Sequence, residues 1–324
     1  MGDGTAIART AIERWGALQR RRPMTIERIL CPVDFSDTSR EALRHAFDLA
    51  RRRGAEVGIV HVTPRTLPPF SALGAFASEA VEPGTRPGLR RDLLEQLKQF
   101  AAPLVDGVRV GFLVEEANIV DTIVALAGRS DLVVLGTHGH GQVEKLILGS
   151  VTEKVLHKSP CPVLTVPPWA SAQGEAGSFR RILCALDFSP PSQEALRYAI
   201  ELARDGGGRI VLLHVIEGLL GEKPRDLHVD VRGYLHAAEE RVREGLRDAL
   251  TGMDARLLEG EPVVASGRAH TEILRVAHES AADLIALGVH GQGVLDRVLF
   301  GSTARHVVRA APCPVLSVRP KPER

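Results

Sequence analysis

The feature that most constrains this chain is that it is written twice, and an internal repeat decides the fold before any local motif does. Arg28-Ile29-Leu30-Cys31-Pro32-Val33-Asp34-Phe35-Ser36 recurs 153 positions later as Arg181-Ile182-Leu183-Cys184-Ala185-Leu186-Asp187-Phe188-Ser189. Each run leads into a helical pattern, Glu41-Ala42-Leu43-Arg44 and Glu194-Ala195-Leu196-Arg197. Further on, Gly136, Gly139, Gly149 and Pro160-Cys161-Pro162 return 152 positions later as Gly288, Gly291, Gly301 and Pro312-Cys313-Pro314. Ile123 matches Ile273 at an offset of 150, which places a small insertion or deletion near the third helix of each copy. The 324 residues therefore divide into an arm at 1–24, a domain at 25–168, a linker at 169–178 rich in small and turn residues, and a second domain at 179–320.

Within each copy, short apolar runs alternate with helical segments. In the first, residues 29–33, 57–62, 108–114, 132–135 and 163–166 read as strands, rich in Val, Ile and Leu and nearly continuous in apolar character, as strands buried on both faces are. Helices are expected around 39–53, 89–102, 119–127 and 150–158. A βαβαβαβαβ order closes by right-handed crossovers into a parallel sheet covered on both sides. The expected fold class is α/β, two Rossmann-like doubly wound domains, each a five-stranded parallel sheet flanked by helices. Ligands of such sheets bind beyond the carboxyl ends of the strands, so function is sought in the strand-to-helix loops.

Composition limits the partners. With 41 basic against 40 acidic side chains the net charge is +1, which provides no global field to gather nucleic acid or an anionic membrane. Neither is expected as a partner, and any polyanion should be small. The four cysteines, Cys31, Cys161, Cys184 and Cys313, lie in or beside apolar runs without CxxC or zinc spacing, and read as buried thiols in a reducing compartment. Apolar runs such as 210–216 fall well short of the roughly 20 residues that span a bilayer. The start, Met1-Gly2-Asp3-Gly4 and then Arg9, Glu13, Arg14 and Arg20-Arg21-Arg22, lacks the apolar core of a secretory signal, so a cytoplasmic location is expected. In the arm, Ile7, Ile12, Trp15 and Leu18 have partly helical spacing; a docked amphipathic helix and a solvated tail both stay open.

Three loops per copy could carry chemistry. After the fourth strand come Gly136-Thr137-His138-Gly139, nine residues and Gly149-Ser150, repeated as Gly288-Val289-His290-Gly291, nine residues and Gly301-Ser302. Glycine lets backbone amides turn with positive φ onto one anion, and the helix opening at Ser150 adds unpaired N–H donors, which together make a phosphate cradle. The alternative is a plain turn followed by a Ser150-x-x-Glu153 capping box, although the second copy has Arg305 where such a box needs Glu. At the end of the first strand, Asp34 and Asp187 could accept from ribose hydroxyls or help hold a phosphate-borne metal, or could cap the following helix. After the second strand, His61-Val62 and His214-Val215 bring main-chain groups that could read a base edge, the histidines themselves reading as packed strand residues. Lys145 and Arg297, at the same place in the nine-residue spacer, could lean on a phosphate or sit in solvent. A metal pair of His138 and His140 is disfavoured by Gln292 in the second copy, and no metal site is assigned.

These motifs, with the closing Pro-Cys-Pro-Val strand, resemble the universal stress protein family in its tandem two-domain form. The resemblance implies a five-stranded α/β sandwich per copy and ATP binding where the glycine spacing is kept. It implies that Asp34 contacts ribose, that main chain near Pro32 and Val62 faces adenine, and that Gly136, His138, Gly139, Gly149, Ser150, Val151 and Thr152 surround the phosphates. Asp187, Val215, Gly288, His290, Gly291, Gly301 and Ser302 would act likewise in the second copy, which departs at Ala185 and at Thr303-Ala304. It also implies pairing of 162–166 with 314–318 in an intramolecular pseudo-dimer; a homodimer of whole chains stays open.

The expected function is ATP binding in stress response or signalling, through ligand-dependent conformation or assembly, with Mg2+ carried on the phosphates. The alternative is a slow ATP hydrolase or adenylate-transferring enzyme using the same cradle. The chain has no Gly-x4-Gly-Lys-Ser/Thr loop and no Gly-x-Ser-x-Gly elbow, so no catalytic residue is assigned. A scaffold with empty crevices is the third reading. The proline-broken stretch 63–88 reads as a lid or partner surface, and 217–233 as its shorter counterpart.

Overall fold

The structure is a computed structural model that describes residues 25–64, 87–138, 148–170, 177–217, 240, 242–246, 250, 254–289 and 301–319. The expectations placed on the arm, on most of 63–88 and 217–233, and on Gly139, His140, Lys145, His290, Gly291, Gln292 and Arg297 lie outside the described residues.

The first half runs β1 (Arg28–Pro32), α1 (Asp37–Arg53), β2 (Glu56–Thr63), α2 (Pro87–Ala101), β3 (Arg109–Glu116), α3 (Ile119–Ala127), β4 (Leu132–Gly136), α4 (Ser150–Lys158) and β5 (Val163–Val166). The second runs β6 (Arg181–Ala185), α5 (Pro190–Gly206), β7 (Arg209–Ile216), β8 (Val263–Ser266), α6 (Ala269–Glu279), β9 (Leu284–Gly288), α7 (Ser302–Ala310) and β10 (Val315–Val318). Local chemistry sets these boundaries. Ser36 caps α1 by accepting from the Ser39 amide at 3.1 Å, and Gly54, at φ 66°, ends it in the left-handed region. Ser189 and Gly207 bracket α5 in the same way. The buried face of α1, with Ala42, Leu43, Ala46, Phe47 and Ala50, lies on one side of the sheet; α3 and α4 cover the other with Ile123, Val155 and Leu156. No helix among the described residues is long and apolar enough to cross a membrane. All four cysteines are free and buried, and burial pushes every one of their thiols up, Cys161 to about 11.

Each half is a Rossmann-like doubly wound unit, its strands parallel in the order β3-β2-β1-β4-β5 and, in the second, β10-β9-β6-β7-β8. The two sheets do not stay separate. β5 pairs antiparallel with β10, Leu164 opposite Leu316, so that ten strands form one continuous sheet and each half covers the other's edge. Leu164 and Leu316 are themselves repeat equivalents, so a local two-fold axis passes between them. Near it Arg305 of α7 lies 3.0 Å from Glu153 of α4. These residues are also equivalents, 152 positions apart. Two identical halves would set like charge against like here, whereas the diverged copies meet as a complementary pair.

The linker returns over α1. Gly177, at φ 68°, donates its amide to Nδ1 of His45 at 3.0 Å, and Phe179 stacks on the same ring at 6.1 Å. Since Nδ1 accepts, the ring proton sits on Nε2, 3.7 Å from the buried Glu41 carboxylate. Burial, helped by nearby Arg44, pushes the His45 pKa down to about 4. Unfolded, the ring takes its proton near pH 6.5; between about 4 and 6.5 the unfolded chain thus holds more protons than the folded one. Stability is expected to fall as the solution is acidified through that window and to be insensitive to this group above it. Urea midpoints at pH 7 and pH 4.5 measure the slope, and His45→Gln should flatten it; an unchanged slope in the variant would assign the loss to other groups.

Candidate functional site

The sheet order places β1 between β2 and β4, so the chain leaves the carboxyl end of β1 towards one side and that of β4 towards the other. A crevice opens at that switch point. Here it is a cleft of about 360 Å³. Its wall is made by Pro32, Val33 and Asp34 at the end of β1, Val60, His61 and Val62 from β2, Leu135, Gly136 and His138 at the end of β4, and Gly149, Ser150, Val151 and Thr152 where α4 begins. The structure therefore brings together the first-copy residues assigned to the nucleotide, Pro32, Asp34, Val62, Gly136, His138 and 149–152, apart from Gly139, which lies outside the described residues. Ser39, Ile119 and Ile123 also line it. Sequence reasoning missed Ile119 and Ile123 because the apolar positions of α3 read only as core, and Ser39 because it lies in the first turn of α1.

The start of α4 differs from those of α1 and α3. Ser36 and Asn118 cap α1 and α3 through their side chains, but the cap of α4 is Gly149, which has no side chain to bond the helix end. The first ladder bond runs from the Glu153 amide to Gly149 O at 2.9 Å, so the amides of Ser150, Val151 and Thr152 precede the ladder and add partial positive charge beside the cleft. The second half repeats this: Gly301 caps α7 without a side-chain bond, and the ladder starts at Arg305. The capping-box alternative is corrected, because Ser150 is the first helical residue and not the cap.

The expected reason for the glycines is corrected too. Gly149 and Gly301 have φ of −58° and −53°, and their amides donate to Thr137 O and Val289 O at 2.8 and 3.2 Å, closing the neck of the loop instead of facing a ligand. Gly136 has no positive φ either. It must lack a side chain because a Cβ there would lie 2.7 Å from Thr38 Cγ2, at the start of α1. Gly288 answers to α5 in the same manner, its Cβ falling 2.5 Å from Ser192 N. Thr152 is tied inward, its hydroxyl donating to Gly136 O at 2.8 Å, so only its amide belongs to the open helix end. Ala304 leaves the second half without that tie.

Asp34 is both a cleft residue and part of a cap. Its Oδ1 accepts from the amide and the hydroxyl of Ser36, at 3.1 and 2.5 Å, and Asp187 accepts from Ser189 at 3.0 and 2.5 Å. His138 is buried, with Nδ1 2.8 Å from Thr137 Oγ1 and its ring 6.3 Å from Trp169, whose indole donates to Ala311 O of the second half. Asp187 follows β6, Val215 lies in β7, Gly288 ends β9, and Gly301 and Ser302 open α7, the places their counterparts occupy in the first half. Among the described residues, no three metal-ligating side chains gather, and Asp34 is the sole carboxylate lining the cleft.

The sequence model of the universal stress protein family matches residues 25–167 and again 178–319. The chain belongs to the universal stress protein family. A universal stress protein of Mycolicibacterium smegmatis is 26% identical over 296 residues, covering 90% of this chain and 97% of that one. One from Thermus aquaticus is 37% identical over 147 residues, 44% of this chain and 99% of the relative, so it corresponds to a single half. The crystal structure of a universal stress protein from Archaeoglobus fulgidus superposes with a TM-score of 0.60 at 24% identity, covering 90% of this chain and 98% of that one, and shares its fold. In this universal stress protein the two family domains share one ten-stranded sheet.

Proposed function

We propose that this universal stress protein binds ATP in the first-half cleft, and in its second-half counterpart, and works in the cytoplasm as a stress-response or signalling module whose conformation or assembly follows occupancy. One observation carries this reading: in both halves the helix that starts after the strand at the switch point has a glycine at its cap, with no side chain of its own to satisfy the first turn, so that the first-turn amides await an anion. The phosphates would lie on the amides of Ser150, Val151 and Thr152 beside His138, and on the start of α7 at Ser302. Asp34 and Asp187 would accept from ribose hydroxyls, and main chain near Pro32, Val62 and Val215 would meet the base, with Ile119 and Ile123 supplying apolar contact. A magnesium ion would arrive on the phosphates, with Asp34 as the carboxylate within reach.

Mass spectrometry of the denatured, freshly purified protein should find an adenine nucleotide. Calorimetric titration should give saturable ATP binding that Asp34→Ala weakens about tenfold, the loss of a hydrogen bond to a charged group. No heat and no thermal shift at millimolar nucleotide would overturn the proposal. Steady-state phosphate release on the same preparation separates binding from hydrolysis.

A further inference from the structure

Two histidines that face the cleft residues from β2 and β7 make the same pair of contacts. Nδ1 of His61 lies 2.7 Å from Val33 O, and Nδ1 of His214 lies 2.7 Å from Leu186 O. A carbonyl only accepts, so in each case the ring donates through Nδ1–H. The same rings pack on Phe35 and Phe188, with centroids 4.6 and 5.0 Å apart. Those phenylalanines have φ of 65° and 62°, a left-handed conformation that a bulky side chain holds only when its surroundings enforce it. Between Val33 and Phe35 stands Asp34; between Leu186 and Phe188 stands Asp187. One imidazole thus grips the residue before the carboxylate by its carbonyl and the residue after it by its ring. Packing alone would ask only for bulk at this position, whereas both copies hold a ring with a donor.

Resting on the nucleotide reading above, we infer that His61 and His214 are positioning residues that aim the Asp34 and Asp187 carboxylates at the ribose hydroxyls, and so set the preference for a ribonucleotide. The test compares ATP, its 2′-deoxy and 3′-deoxy analogues and inorganic tripolyphosphate by calorimetry, with both halves altered together so that the site occupied does not matter. His61→Leu/His214→Leu removes the donors at similar size. It should lower ATP affinity about tenfold, abolish discrimination against the deoxy analogue that the unaltered chain disfavours, and leave tripolyphosphate within about twofold. Adding Asp34→Ala/Asp187→Ala should cause no further loss. His61→Asn/His214→Asn, whose amide N–H occupies the place of Nδ1–H, should recover most of the discrimination. Retained discrimination in the leucine variant, or parallel loss of ATP and tripolyphosphate, would overturn the inference. If the leucine variant does not fold, Phe35→Leu/Phe188→Leu, which removes the stacked ring and keeps the imidazole, decides: undiminished discrimination there overturns it equally. An unaltered chain that binds no nucleotide would instead sink the functional proposal itself.

Discussion

Gly149→Asp is expected to make the protein more stable and its first-half cleft unable to hold an anion. The backbone at Gly149, φ −58° and ψ 137°, is open to any residue, and it is the cap position of α4. An aspartate there accepts from first-turn amides and adds a negative charge beside the positive helix end, which stabilises by a few tenths to about 1 kcal/mol. The same carboxylate occupies the donors that a phosphate needs and repels it, so affinity for ATP at that cleft should fall by a hundredfold or so, about 2.7 kcal/mol. Gly149→Ala, which brings no acceptor, should leave binding nearly unchanged. Thermal denaturation and ATP titration of one preparation read the two effects, which have opposite signs. A stabilised variant that kept its ATP affinity would show that the end of α4 is not where the phosphates rest.

The second large effect concerns stability alone. Gly288→Ala drives a Cβ to 2.5 Å from Ser192 N and 2.8 Å from Pro191 C, both main-chain atoms in the first turn of α5, so helix and strand must part. A loss of about 3 kcal/mol is expected, at the upper end for overpacking. Gly136→Ala meets Thr38 Cγ2 at 2.7 Å and Thr38 C at 3.1 Å; a methyl group can partly yield, and the loss should be nearer 1–2 kcal/mol. Thr38→Ser should recover part of the second loss, while no side-chain change near α5 offsets the first. Urea unfolding of the three variants tests the order, and equal, small losses would contradict it.

Most of the elements could be read from sequence. The ends of α3 and α4 fall where apolar periodicity put them, and the first-half strands match the expected runs to within a residue or two at either end. Buried parallel strands and Ser or Gly caps write themselves locally, and the second copy repeats the message. The cleft was legible in part, since switch-point loops carry the ligand in such sheets. Its α3 wall was not, nor was the contact of each glycine with the helix after the first strand, because Gly136 and Thr38 are distant in the chain and meet only when β4 lies beside β1. His61 looked like a packed strand residue. It is one, but its hydrogen bond to Val33 O and the strained Phe35 it holds are visible only with the strands in register.

By itself the sequence determined that there are two copies, that each winds a parallel sheet, and which loops stand at the strand ends, because these follow from periodicity and turn chemistry within a few residues. Tertiary structure alone decided that the ten strands form one sheet, that Glu153 meets Arg305 at its local axis, and that Gly149 and Gly301, not the serines after them, take the cap positions of α4 and α7. Those outcomes depend on which distant groups satisfy one another once the layers pack, and a linear pattern does not carry that information.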